Sequence, residues 1–388
     1  MTQTEKTFLN MLSRALGASV PDEPAVGDDG ELLSLAAAHK LVSLLSSAFP
    51  PGELPGEWKR MALQQAVLQT RRTSAFLALY RQMEEAGLHP LVVKGILCRD
   101  LYPQPDLRPS SDEDLFVPRE EFAAFCRFFR EQGFTPTGEV TDHAFEIGWR
   151  KDLLYIELHQ SLFAPESGAY GDLNRFFPAE GVSYWVENGQ AVRSLDPHHH
   201  MLYLILHAFK HFLHSGFGIR QVCDICLWAR KYSPQIRWSL LRSQCAEAHA
   251  LGFARAVLGI GMHHLGVSLP LPENWLTEPD YALPMLRDIL SGGIYGGTDA
   301  ARQHTATVTL NAVEASRTGK ASTPLSSVFP SRASLMGRYP YLKQHPILLP
   351  LAWSQRIFRY LREKSSPGES LALGKTRVEL LKYYGVIS

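Results

Sequence analysis

Residues 107–117 read LRPSSDEDLFV, with Asp112 and Asp114 one residue apart just before an apolar run. On a strand, side chains alternate with a period of two, so both carboxylates would face one side and Glu113 the other. Two carboxylates that close repel each other unless a cation sits between them. Oxygen-only ligands on a rigid edge suit Mg2+, which commonly binds one or two carboxylates plus substrate phosphates. The competing reading is a polar turn, Ser110-Ser111-Asp112-Glu113, that merely leads into a strand. An isolated Asp-x-Asp does not decide between the two.

Context on either side favours the site. Downstream, YIELHQ places Glu157 in the middle of an apolar strand, where Tyr155, Glu157 and His159 share one face. A buried unpaired charge is costly, so Glu157 needs a partner. That partner is either an arginine or a metal shared with the two aspartates. Upstream, VVKG ends a strand at Lys94-Gly95, where bare backbone can approach phosphate oxygens. Glu113 is expected on a side of the strand that is incompletely buried, or paired with a base such as Arg108.

The surrounding elements divide the chain into four stretches. Residues 1–88 read as a helical segment, broken around Pro50–Gly56 and closed by Gly87. Residues 89–195 read as a small mixed α/β unit. It contains strands at PLVVKG, DEDLFV, HAFEIGWRK and LLYIELHQSL, and a helix at REEFAAFCRFFREQGF. The third and fourth of these strands are joined by a turn at Lys151 and Asp152. A hairpin is expected over 182–195, turning at Asn188-Gly189. Residues 196–270 turn helical again. Residues 271–388 form a mostly helical basic region, with a loop over 324–337 and final helices at 350–364 and 371–384. The expected fold is therefore α+β, a small mixed sheet flanked by N-terminal and C-terminal helical segments.

Other patterns carry less. His207 and His211 are at i, i+4 and could bind zinc, but no third ligand is evident. Arg220 and Asp224 at the same spacing read as a helix salt bridge. Cys223 and Cys226 lie inside an apolar helical run and read as packed thiols. GESLALGKT, at 368–376, has five residues between its glycines, not four, and no strand before it, so it is not a phosphate loop. His198–His200 follow Asp196-Pro197, a helix start.

Five cysteines in 388 residues argue against a disulfide framework. With no basic, apolar leader and no run approaching a membrane span, the expected location is the cytoplasm, without membrane insertion. The net charge is zero but unevenly spread. Residues 301–388 hold 13 Lys and Arg against 4 Glu and no Asp, or +9, so the first 300 residues carry −9. These positive charges are dispersed, so no extensive nucleic-acid surface is expected.

The set LVVKGILCRDLYPQPDLRPSSDEDLFV followed by YIELHQSL resembles the bacterial nucleotidyltransferase-family proteins of the DNA polymerase beta-like superfamily. The likeness extends loosely over residues 30–230, including LAAAHKLVSLL and LILHAFKHF with the Arg220–Asp224 helix. It implies that 89–195 is the nucleotidyltransferase core and 196–270 a helical part of the nucleotide pocket. It implies an enzyme that moves an NMP from an NTP to a hydroxyl or phosphate acceptor by a two-metal mechanism, using Mg2+ or Mn2+. Asp112, Asp114 and Glu157 would be the catalytic and metal-binding residues. Lys94, Gly95, Arg108, Ser111, His159, Lys210 and His211 would contact the nucleotide. The partners implied are an ATP-like NTP donor and an acceptor that is a small molecule, a peptide or protein, or an RNA end. The alternatives are a silent nucleotide- or partner-binding module and a phosphotransferase on the same scaffold.

Overall fold

The computed structural model describes residues 1–18, 29–141, 144–164, 171–178, 180–186, 189–214, 216–293, 300–318, 332–335, 339, 341–362 and 367–387. Among the described residues, four helices come first: α1 (Gln3–Ala15), α2 (Asp29–Ala38), α3 (Val42–Ser46) and α4 (Gly56–Glu85). Thr2 and Glu5 cap α1 reciprocally, each side chain taking the other's backbone N–H. The α/β part follows as β1 (Leu91–Val93), α5 (Gly95–Arg99), β2 (Glu113–Phe116), α6 (Phe122–Glu131), β3 (Thr135–Pro136), β4 (Glu146–Lys151), β5 (Leu154–His159), β6 (Val182–Val186) and β7 (Gln190–Ser194).

Five strands form one mixed sheet in the order β1-β2-β5-β4-β3. The β2–β5 pair is parallel and its neighbours are antiparallel. The helix α6 lies in the crossover that a parallel pair requires. Strands β6 and β7 make a separate hairpin, with Val186 opposite Gln190. Of its expected turn, Asn188-Gly189, Asn188 falls outside the described residues, and Gly189 takes a positive φ of 69°. The β4–β5 turn sits at Asp152 and Leu153, one residue later than expected, because Lys151 still pairs with Leu154. Asp152 takes a positive φ of 48° there.

After the sheet come α7 (Pro197–Leu213), α8 (Ile219–Tyr232), α9 (Trp238–Glu247), α10 (Leu251–His264), α11 (Pro279–Gly292), α12 (Ala300–Thr318), α13 (Arg332–Leu335), α14 (Tyr341–Gln344), α15 (Leu349–Arg362) and α16 (Pro367–Tyr383). Asp196 caps α7 through the amides of His198 and His199, and Pro197 occupies the first helical position. Part of the expected 324–337 loop is the short helix α13; the rest lies outside the described residues. The GESLALGKT stretch lies within α16. All five cysteines are buried, none forms a disulfide among the described residues, and burial raises the thiol pKa of both Cys223 and Cys226.

Among the described residues, the larger of two apolar clusters runs from Phe8 in α1 to Ile387 and contains the inner face of the sheet; a small second one joins Leu335, Tyr339, Leu342 and Ala352. The chain is thus α+β, a small mixed sheet flanked by helices. No helix among the described residues is long and apolar enough to cross a membrane.

Candidate active site

The parallel register of β2 and β5 sets Asp114 beside Glu157 and Phe116 beside His159. Residues paired across neighbouring strands face the same side, so both acids and the histidine stand on one face. Asp114 is buried and Glu157 half-buried. Asp112 lies one residue before the strand, in the loop, where Ser111 Oγ donates to its Oδ1 at 3.3 Å. The expectation that both aspartates sit on the strand is corrected by one residue. Among the described residues, the potential metal ligands that converge are Asp114, Glu157 and His159, with ligand atoms within 4.8 Å of one another. The imidazole of His159, expected as a nucleotide contact, is thereby also a candidate ligand.

The electrostatics differ sharply across this pair. Burial opposes ionisation of Asp114. The ammonium of Lys94 at 3.0 Å and His159 at 3.3 Å outweigh it and hold the carboxyl below the usual range. Burial and the neighbouring carboxylates of Asp114 and Asp112 instead push Glu157 up to about 7. Glu146, opposite His159 on β4, lies 3.5 Å from His159 Nδ1.

Lys94 and Gly95 form the sharp turn between β1 and α5. Lys94 takes φ +68° and Gly95 φ +43°, both in the region an ordinary side chain disfavours. A hydrogen bond from Lys94 N to His200 Nε2 at 3.2 Å holds the turn. The Lys94 ammonium then lies between Asp114 and His207, 3.2 Å from His207 Nε2. Burial works against its charge, yet Asp114, Tyr203, Asp112 and Glu157 raise its pKa well above the ordinary lysine value.

Glu113 departs from expectation. It faces away from Asp114, as the strand period requires, but it is buried and pairs with Arg99, not Arg108. Its Oε1 accepts from Arg99 Nη2 at 2.5 Å and its Oε2 from Ile96 N at 2.9 Å. A Cβ on Gly95 would meet Glu113 Oε2 at 1.9 Å, so the glycine is needed for both its φ and its lack of a side chain.

Helices α7 and α8 supply the opposite wall of a cavity of about 300 Å3. Lys94, Gly95, Asp112, Asp114, Glu157 and His159 line one side, and His207, Lys210, His211, Arg108 and Arg220 the other. The expected helix salt bridge between Arg220 and Asp224 does not form. Asp224 instead accepts a bidentate pair from Arg108, at 2.9 Å from Nε and 2.6 Å from Nη2, and a bond from Tyr102 OH at 2.8 Å. Arg220 Nη1 donates to Pro109 O. Ser110 lines the cavity and Ser111 does not. The 108–112 loop is fixed from α4 as well: Ser110 N donates to Gln69 Oε1 at 2.7 Å, and Arg72 Nη1 donates to Ser110 O at 3.0 Å.

The arrangement sets acidic ligands on a rigid sheet edge against cationic groups on two helices. It can hold a cation and an anionic ligand together. Sequence reasoning named most of the lining but missed Glu146, Ser110 and the closeness of His207 to Lys94. The spacing of His207 and His211 was visible; their target was not, because Lys94 lies more than a hundred residues away. A family model described as "uncharacterised nucleotidyltransferase" matches residues 27–266. No curated protein and no solved structure matches.

Proposed function

Because the chain belongs to this nucleotidyltransferase family, and nucleotidyl transfer is the general reaction that membership supports, we propose a metal-dependent transfer of an NMP from an NTP to a hydroxyl or phosphate acceptor. The observation that carries this reading is the side-by-side placement of Asp114 and Glu157, with His159 completing the donor set and cationic groups across the cavity. The two carboxylates, whose oxygens converge, fit a divalent cation such as Mg2+ or Mn2+, and the His159 imidazole beside them adds a nitrogen donor that Mg2+ would leave unused. When bound, such ions neutralise phosphate charge and lower the pKa of an acceptor hydroxyl.

Asp112, Asp114 and Glu157 would hold the metal, with His159 as a further ligand or phosphate contact. Lys94, Arg108 and Lys210 would draw the triphosphate into the cavity, His211, kept neutral by burial, would contact it by hydrogen bond, and the tight Lys94-Gly95 turn would let backbone approach it. Ser111 would act through Asp112. Burial and the neighbouring carboxylates push Glu157 up to about 7 before a cation binds, and beside the metal it would help relay the acceptor's proton. The acceptor oxygen bonds to the α-phosphorus, and the bond to the leaving pyrophosphate breaks.

Incubation with each NTP and Mg2+ or Mn2+, plus candidate small molecules, peptides and RNA ends, tests this by mass spectrometry. The expected result is an NMP mass added to an acceptor together with pyrophosphate, both lost in Asp114→Asn. Release of nucleoside diphosphate would identify a phosphotransferase. Metal-dependent NTP binding with no product from any acceptor class would favour a silent binding module.

A further inference from the structure

The segment after residue 266 lies outside the family match, yet two of its side chains end on the helix that carries Lys210 and His211. Helix α7 stops at Leu213, and the last carbonyls of a helix lack partners within it. Arg377 of α16 donates from Nη1 to His214 O at 2.8 Å and from Nη2 to Phe212 O. Thr309 of α12 donates from Oγ1 to Leu213 O at 2.6 Å. Three successive carbonyls are therefore held by the C-terminal segment, and the guanidinium sits at the negative end of the helix dipole.

Both side chains are buried, Arg377 to 1% exposure and Thr309 to 0%. Helix α16 is itself anchored just past its end. Tyr384 OH donates to Tyr281 O and accepts from Met285 N, each at 3.1 Å. Tyr384 O packs so close to Gly252 that a Cβ there would lie 2.0 Å away. The clamp on α7 is thus fixed from behind.

The clamped turn contains Lys210 and His211. His211 Nε2 lies 3.0 Å from His207 Nε2, and His207 lies next to Lys94. Fraying this turn would displace the Lys210 ammonium and the His211 imidazole, which burial keeps neutral, from the wall opposite Asp114. We propose that Arg377 and Thr309 are positioning residues for the phosphate-binding wall, which makes the C-terminal segment a working part of the site. This rests on the nucleotidyl-transfer reading for its ligand, but not for its mechanical content.

The test uses the full chain, as wild type, Thr309→Val, Arg377→Gln and Arg377→Lys. Amide hydrogen exchange is followed over 205–214 and over β2 and β5, and Mg2+–ATP binding is titrated. Thr309→Val, which keeps the shape and removes one hydrogen bond, guards against an Arg377 variant that fails to fold. Losing one such bond should speed exchange in the last turn of α7 and weaken Mg2+–ATP binding about five-fold. The strands should exchange as before, and Arg377→Lys should recover part of the loss. Unchanged exchange in 210–214, or equal acceleration throughout the molecule, overturns the proposal. So does unchanged nucleotide affinity where the turn has loosened and the wild type binds. A wild type that binds no Mg2+–NTP defeats the nucleotidyl-transfer reading instead, and the exchange measurement then decides the clamp alone.

Discussion

Asp114 and Glu157 stand side by side on parallel strands, and their surroundings drive them apart in acidity. Burial raises both. At Asp114 it is overcome by Lys94 at 3.0 Å, whereas at Glu157 the charges of Asp114 and Asp112 add to it. One member is thus a firm anion and the other titrates near neutrality. Such divergence between neighbouring carboxylates suits a division between holding charge and moving a proton.

Replacing Asp114 by Asn should remove pyrophosphate release by roughly 10²-fold or more. It also leaves Lys94 without its principal counter-ion, which should lower stability by about 2 kcal/mol. Calorimetry of the variant beside a pyrophosphate assay separates the two effects. Retained activity would count against the assignment of Asp114.

Thermal stabilisation by NTP should require a divalent cation. Excess EDTA should abolish the NTP-dependent rise in Tm, and added Mg2+ or Mn2+ should restore it. An equal rise in EDTA would mean that nucleotide binds without the acidic cluster.

Gly95→Ala should destabilise the protein by about 2–4 kcal/mol, because the new Cβ meets the Glu113 carboxylate and the backbone stays at φ +43°. Denaturant titration measures this. A loss below about 1 kcal/mol would show that the turn can relax.

A double-mutant cycle on Arg108 and Asp224 should give a coupling of about 2–4 kcal/mol, since either single change strands a buried charge. The same cycle on Arg220 and Asp224 should give a coupling near zero. The reverse result would restore the i, i+4 pairing that the helical spacing suggests.

His39 and His200 are buried, and burial lowers their pKa from 6.5 to about 4 and about 3. Both folded-state values lie below the unfolded one. Their contribution to stability is therefore complete above pH 6.5 and is lost as pH falls towards those lower values. Each should cost on the order of 2 kcal/mol by pH 5. Protonating His200 also removes the acceptor for Lys94 N. Unfolding followed from pH 7.5 to 5 should show falling stability, and His39→Gln should flatten the slope. A pH-independent midpoint would refute the neutral, buried state.

Much of the site was legible in local pattern. Period-two alternation put Tyr155, Glu157 and His159 on one face and turned Glu113 away from Asp114, because the pleat allows nothing else. The glycine after Lys94, the cap at Asp196 and the apolar surroundings of Cys223 and Cys226 follow equally from short-range chemistry. Partnership did not. Glu113 chose Arg99 over Arg108, and Asp224 chose Arg108 over Arg220, a helical neighbour at favourable spacing. Arg377 reached α7 from more than 160 residues away. Sequence spacing specifies which way a side chain points from its own element. Which charge meets it is decided when elements pack, because a buried ion must find whatever partner the assembled core brings within hydrogen-bond reach.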